Sequence, residues 1–270
     1  MAIGSFGAAA KTLANGGRAY LEFDGVMHDP KIKVNGQDVG GWDFGFQSFT
    51  LDVTKFIRPG RNLIEVHADT RNFKGRWHIG GGIYREARFV VRPREHVLPG
   101  TLAITTPSVT KARAEVVVRY ATPSGRKEKH FTIENPRLWD VDDPFLYEIE
   151  FHGERFRYGI RTFEWTLDDG FHLNGRRVQI KGANRHSDFG PLGAAFNLDA
   201  AKRQLNLFKD MGINAIRTSH NIPAPQLLEL CDEMGFIVWD ECFDKWDSLA
   251  GRRADQNLEE YIERNLKQFV

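Results

Sequence analysis

Apolar and polar residues alternate through the first third of the chain: Leu21 and Phe23, Ile32 and Val34, then Phe49, Leu51 and Val53, Ile64, Val66 and Ala68, and last Ala87, Phe89 and Val91. A period of two turns one face of each segment toward a core, so these stretches read as half-buried strands. Asn35-Gly36 tolerates the positive φ of a type I′ hairpin and Pro59-Gly60 fits a tight turn. A first β-sandwich ending near Val91 is predicted. From about Leu102 to Trp165 a second β segment follows: Ala114, Val116, Val118 and Tyr120 alternate before a Pro123-Ser124-Gly125 turn, and Leu146, Ile149 and Phe151 come later. It is short for an immunoglobulin-like sandwich, which takes about 100 residues.

Beyond Trp165 the pattern changes. A hairpin at Asn174-Gly175 leads into an apolar run with Val178 and Ile180, and from there strand and helix periods alternate. Ala201, Leu205 and Phe208 share one face of a helix from about Leu198 to Met211, which Gly212 ends. Ile213 to Ser219 reads as a strand. Pro225 opens a helix with the stripe Leu227, Leu228, Cys231 and Met234, ended by Gly235, and Phe236 to Trp239 is a buried strand. A last amphipathic helix carries Leu258, Tyr261, Ile262, Leu266 and Phe269. Such β/α units suit a parallel sheet, either doubly wound or closed as a barrel. Each strand ends in polar residues: Asn184-Arg185-His186, Arg217-Thr218-Ser219-His220 and Asp240-Glu241. Barrel enzymes build their sites on the C-terminal strand ends, so this pattern points to a barrel rim.

Composition narrows the function classes. The chain has 270 residues, 41% of them hydrophobic, enough to bury the core of one or two domains. Its 37 Lys and Arg against 36 Asp and Glu leave a net charge of +1, so no excess draws it to nucleic acid or to an anionic membrane. Cys231 and Cys242 are too few for a disulfide framework, no zinc-type spacing is present, and they read as reduced structural thiols. The opening MAIGSFGAAAKTLANGG lacks the basic start and apolar stretch of a secretory signal, and no run approaches the ~18 apolar residues of a membrane span. A cytoplasmic location is expected.

The candidate chemistry gathers at the strand ends. Arg217 can hold a catalytic carboxylate ionised, or can form a structural salt bridge under the rim. On a regular strand Arg217 and His220 would face opposite sides, and a twist at the strand end would let both reach the rim. His186 and His220 can donate to substrate hydroxyls or serve as hydrogen-bonded structural residues, with metal binding the weaker idea. Asp240 and Glu241, adjacent on a strand, point apart and make a poor acid and nucleophile pair, so a rim or capping role is expected of them. Gly80-Gly81-Gly82 is not a phosphate loop, because Ile83 to Val91 should continue as a strand. Beside it, Arg76, Trp77 and His78 suit either a sugar-stacking surface or packing between domains.

The runs GANRHSDFGPLGAAFN and NAIRTSHNIPAPQLLELCDEMGFIVWDECFD resemble glycoside hydrolase family 2, the first most of all its β-galactosidase branch. LEFDGVMHDPKIKVNGQDVG, FTLDVTKFIRPGRNLIEV and RWHIGGGIYR resemble that family's sugar-binding sandwich, and ENPRLWDVDDPFLYEIE its immunoglobulin-like domain. The resemblance implies a multidomain β plus α/β chain: a jelly-roll-like β-sandwich over residues 1–97, a short immunoglobulin-like β-sandwich over 98–165, and the first three β/α units of a TIM barrel over 166–270. It also implies retaining hydrolysis of terminal β-glycosides by two glutamates, an acid/base in an Asn-Glu pair and a nucleophile.

No Asn-Glu strand end follows Glu241; Glu134-Asn135 has the wrong order and Asn257-Leu258-Glu259 is interrupted. Both catalytic glutamates are therefore expected beyond Val270, and the chain reads as a fragment, inactive alone. What carries over is auxiliary. Arg217 matches the arginine that steadies the nucleophile, His186 and His220 match histidines near the sugar, and Asp240 and Glu241 match the motif at the third strand end. Arg76 and Trp77 match a loop approaching the site. The implied partner is a β-linked galactoside or related saccharide, with no organic cofactor; whether the divalent or sodium ion of some members belongs here stays open. A non-catalytic carbohydrate-binding protein, and β-glucuronidase or β-mannosidase specificity, are the alternatives.

Overall fold

The computed structural model describes residues 6–71, 80–242, 244, 259, 260 and 263. A helix, α1 (Phe6–Ala14), precedes the strands β1 (Arg18–Phe23), β2 (Val26–Met27), β3 (Lys31–Val34), β4 (Gln37–Gly41), β5 (Phe49–Asp52), β6 (Ile64–His67), β7 (Gly82–Ile83) and β8 (Ala87–Arg92). They form the antiparallel sheets β5-β1-β8 and β4-β3-β6 and the pair β2-β7. Leu21, Phe23, Ile32, Val34, Phe49 and Val53 meet in one core, as their alternation requires. Asn35 and Gly36 both have positive φ, 52° and 80°, the primed turn that joins β3 to β4.

Two expectations change here. The strand from Ile83 to Val91 is broken, because the chain leaves the ladder at Tyr84-Arg85-Glu86, and Tyr84 and Arg85 are buried at that corner. Ile64 and Phe89, on the apolar face by pattern, are 38% exposed because β6 and β8 are edge strands.

The second β region holds β9 (Ala103–Val109), β10 (Arg113–Thr122), β11 (Gly125–Glu134), β12 (Tyr147–Phe151) and β13 (Glu154–Tyr158). The sheet β11-β10-β9 and the hairpin β12-β13 share a core of Val116, Val118, Tyr120, Phe151 and Ile160. A meander of β14 (Phe163–Thr166), β15 (Gly170–Leu173) and β16 (Arg176–Arg177) follows, its tight turn at Asn174 and Gly175 with φ of 55° and 75°.

The last region is α/β: β17 (Gly182–Arg185), α2 (Leu198–Asp210), β18 (Ala215–Thr218), α3 (Pro225–Met234) and β19 (Ile237–Trp239), with the strands parallel in the order β17-β18-β19. Asn197 caps α2 by accepting the Ala200 amide at 2.9 Å. Gly235 ends α3 in the left-handed conformation. Ile216 packs with Ala201, Leu205, Leu227, Leu230 and Cys231, so one sheet face is covered by both helices. The stripe on α3 therefore uses Leu230 where Leu228 was expected, since positions three, four and seven apart share a face. The first parallel strand starts at Gly182, later than Val178 and Ile180 suggested: Val178 is drawn into a cluster with Trp139, Val141, Phe171 and Leu173. The helix expected around Leu258 to Phe269 lies outside the described residues, apart from Glu259, Glu260 and Glu263.

Candidate functional site at the parallel strand ends

Three consecutive parallel strands deliver polar side chains to one edge of the sheet. Asn184 and Arg217 are register partners on β17 and β18. Because Ile216 and Thr218 are buried toward the helices, Arg217 lies on the opposite, open face, its side chain 40% exposed. Glu241, two residues past β19, meets it: Arg217 donates from Nε at 2.7 Å and Nη2 at 2.5 Å to Glu241 Oε1. Nη1 of Arg217 also donates to Asn184 Oδ1 at 3.3 Å.

His220 Nδ1 lies 2.6 Å from the other carboxylate oxygen, Glu241 Oε2. An ionised carboxylate only accepts, so Nδ1 carries the proton in this bond. Arg217 and His220 thus converge on one group, which strict strand alternation would forbid. They do so because β18 ends at Thr218 and His220 belongs to the following loop.

Thr218 arranges the rest. Its hydroxyl donates to Asp240 Oδ1 at 2.7 Å and accepts the Glu241 amide at 2.9 Å, so a single buried side chain turns the adjacent acids toward different partners. Burial pushes the Asp240 carboxyl above the usual carboxylate range, against the opposing effect of the Thr218 hydrogen bond. The His186 ring stands edge-on to His220, centroids 5.4 Å apart and planes at 88°. Desolvation first, and the neighbouring His220 second, hold His186 below the usual imidazole pKa.

The structure brings together His186, Arg217, His220 and Glu241, with Asp240 behind them on Thr218. Arg76 and Trp77 lie outside the described residues. Asn184 was read only as part of a polar strand end, and Thr218 likewise; neither was singled out. A cleft of about 510 Å³ between β1, β5, residues 97–102 and α3 contains none of the predicted site residues. The Arg92–Glu22 and Arg88–Asp24 pairs, at 2.5 and 2.6 Å, line it. Both cysteines are buried and free, as reduced thiols should be.

Residues 166–258 match the TIM barrel domain of family 2 glycosyl hydrolases. The chain is 34% identical to the β-galactosidase BoGH2A of Bacteroides ovatus over 95% of its own length and 36% of that protein's. It is 25% identical to a β-glucuronidase of Bacteroides fragilis, over 84% of the chain and 41% of the relative. A family 2 glycosyl hydrolase structure from Bacteroides cellulosilyticus superposes with a TM-score of 0.84 at 29% identity, covering 96% of this chain and 40% of that one. Along nearly its whole length the chain is similar to members of glycoside hydrolase family 2, and residues 166–258 carry the match to that family's TIM barrel domain. It spans between about a third and two fifths of the length of these relatives.

Proposed function

We propose that the chain forms the substrate-facing rim of a β-glycosidase of the β-galactosidase type, which performs retaining hydrolysis of terminal β-glycosides. In this reading residues 1–97 are a jelly-roll-like sugar-binding sandwich, 98–165 a short immunoglobulin-like sandwich, and 166–270 the first three β/α units of a TIM barrel. The observation that carries it is the convergence of Arg217 and His220 on Glu241 at the C-terminal ends of neighbouring parallel strands, beside His186.

Both oxygens of Glu241 already accept charged or polar donors, so it works as an anchor and delivers no proton itself. It holds Arg217 and His220 in place beside the sugar. His186, kept neutral near pH 7, can both donate to and accept from a hydroxyl. The acid/base and nucleophile glutamates are not among these residues, and the 270 residues alone do not turn over substrate.

The test is ligand titration of the purified chain with a β-galactoside, a β-glucuronide and a β-mannoside, followed through the histidine ring signals in NMR spectra. Saturable binding with His186 and His220 perturbed, best for the galactoside, is expected. His220→Ala should weaken that binding about tenfold, the loss of one or two polar contacts. Binding indifferent to His220→Ala would refute the assignment of the rim, and steady hydrolysis of a chromogenic β-galactoside by the chain would refute its inactivity.

A further inference from the structure

Arg85 is 6% exposed, and no carboxylate hydrogen-bonds its guanidinium among the described residues. It donates instead to four main-chain carbonyls. Nη1 reaches Asp24 at 3.2 Å, Phe46 at 2.9 Å and Pro223 at 3.2 Å, and Nη2 reaches Ile222 at 2.8 Å. Its Cζ also lies 5.0 Å from the Tyr84 ring centre. Burying a cation that no carboxylate hydrogen-bonds is costly, and burial lowers its proton affinity against the attraction of Tyr84 and of the nearby Asp24 and Asp240 carboxylates. The planar five-donor fork of a guanidinium suits it to serve the carbonyls of several separate segments at once.

Those segments matter. Asp24 and Phe46 belong to the N-terminal β region, whereas Ile222 and Pro223 lie in the loop that starts directly after Thr218 and carries His220. The same corner holds the neighbouring loop, because the Tyr84 carbonyl accepts the Phe196 amide at 3.1 Å. Met27, Phe44, Phe46 and Tyr84 pack with Ala194, Ile222 and Cys242, one residue from each segment following β17, β18 and β19. Gln226 adds a second tie, donating to Asp24 Oδ2 at 2.7 Å.

From this geometry we propose that Arg85 is a positioning residue for the rim: it clamps the 222–223 main chain to the N-terminal β region and so fixes where His220 meets Glu241. The clamp deepens the glycosidase reading, and its consequence for sugar binding rests on that reading; its effect on the His220 ring does not.

The experiment compares the full chain with Arg85→Ala and Arg85→Lys. Histidine ring signals of His220 and His186 are read against His130 and His172, and amide exchange is measured across residues 219–224. Arg85→Ala should move the His220 and His186 signals, leave the reference histidines in place, and speed exchange in 219–224 by ~10-fold or more relative to β10. Added methylguanidinium should reverse both the signal shifts and the faster exchange. Arg85→Lys keeps the charge but not the fork and should fall between; if Arg85→Ala does not fold, this variant carries the test. A folded variant with unchanged His220 signals and unchanged exchange overturns the proposal. So does rescue by methylguanidinium of the melting temperature without rescue of the rim. Galactoside affinity should fall and recover in parallel with the ring signals; signals that respond while no sugar binds would refute the function and leave the clamp standing.

Discussion

Asp240 shows how burial of a single carboxyl becomes a property of the fold. Its carboxyl is raised chiefly by desolvation, so between the unfolded and folded pKa values the native state binds more protons than the unfolded chain. The sign follows: its contribution is fully present below the unfolded value near 4, falls as pH rises through that window, and stays lost above the folded pKa. Asp240→Asn, which can still accept from Thr218, should flatten this dependence and raise stability at pH 7 relative to the parent. Urea midpoints from pH 4 to 8 decide it; parallel curves for the two proteins would contradict the argument. The thiols follow the same physics. Burial pushes Cys231 up to about 12 and Cys242 up to about 11, so neither offers much thiolate at pH 8. Alkylation at pH 8 should be slow in the folded chain and reach both thiols only after denaturation; one thiol reacting natively at the rate of a free cysteine would count against it. Arg217, His220, Asp240 and Glu241 were legible as polar strand ends, because a strand end reveals its position through the apolar run before it. Arg85 was not. Its partners are carbonyls, two of them 137 and 138 residues away, and a carbonyl has no letter in the sequence.

At the scale of elements, α2 and α3 carry their boundary signals openly. Asn197→Ala removes the cap on the Ala200 amide and should cost about 1 kcal/mol. Gly235 is more constrained: its φ is +73°, and an added Cβ would stand 2.3 Å from the Val141 carbonyl oxygen. Gly235→Ala should therefore cost more than the ~1 kcal/mol of the backbone conformation alone. Thermal melts of both variants, with Asn197→Ala the milder, check the pair; the reverse order would show that the Val141 contact yields easily. The same elements show where pattern reading loses its grip. β11 reads RKEKHF and was invisible as a strand because nearly all of it faces water; its register comes from β10, with pairs such as Arg119 and Glu128. β17 was placed early because Val178 looks like a strand position, yet its apolar side chain serves the Trp139 cluster. Periodicity records that a residue is buried, and not which neighbour buries it.

Among the described residues the α/β region is fastened to the β regions at two opposite places, one of which faces the rim. At the strand C-termini the Tyr84-Arg85 corner holds the loops. At the other end, the segment 139–141 of the second β region sits on the C-terminal turns of both helices. Trp139, 1% exposed, donates its indole N–H to the Asp232 carbonyl of α3 at 2.7 Å. Lys209 of α2 donates to the Val141 and Gly235 carbonyls, each at 3.0 Å. Arg157 pairs with Glu233 on the same surface. These contacts couple the second β region to the helices without touching the site, so the two fastenings should fail independently. Trp139→Ala removes a buried aromatic and its hydrogen bond, a loss of ~3–5 kcal/mol. Trp139→Phe keeps most of the packing and should lose about 1 kcal/mol for the missing N–H bond, plus whatever the smaller ring leaves unfilled. Calorimetry should show the α/β region of Trp139→Ala melting in a transition of its own, apart from the second β region and at a lower temperature than in the parent, while the His186 and His220 ring signals stay at their native positions below that transition. A single, merely lowered transition would mean that the contacts around Trp139 stabilise the chain as one unit, and displaced rim signals would mean that the two fastenings are mechanically one.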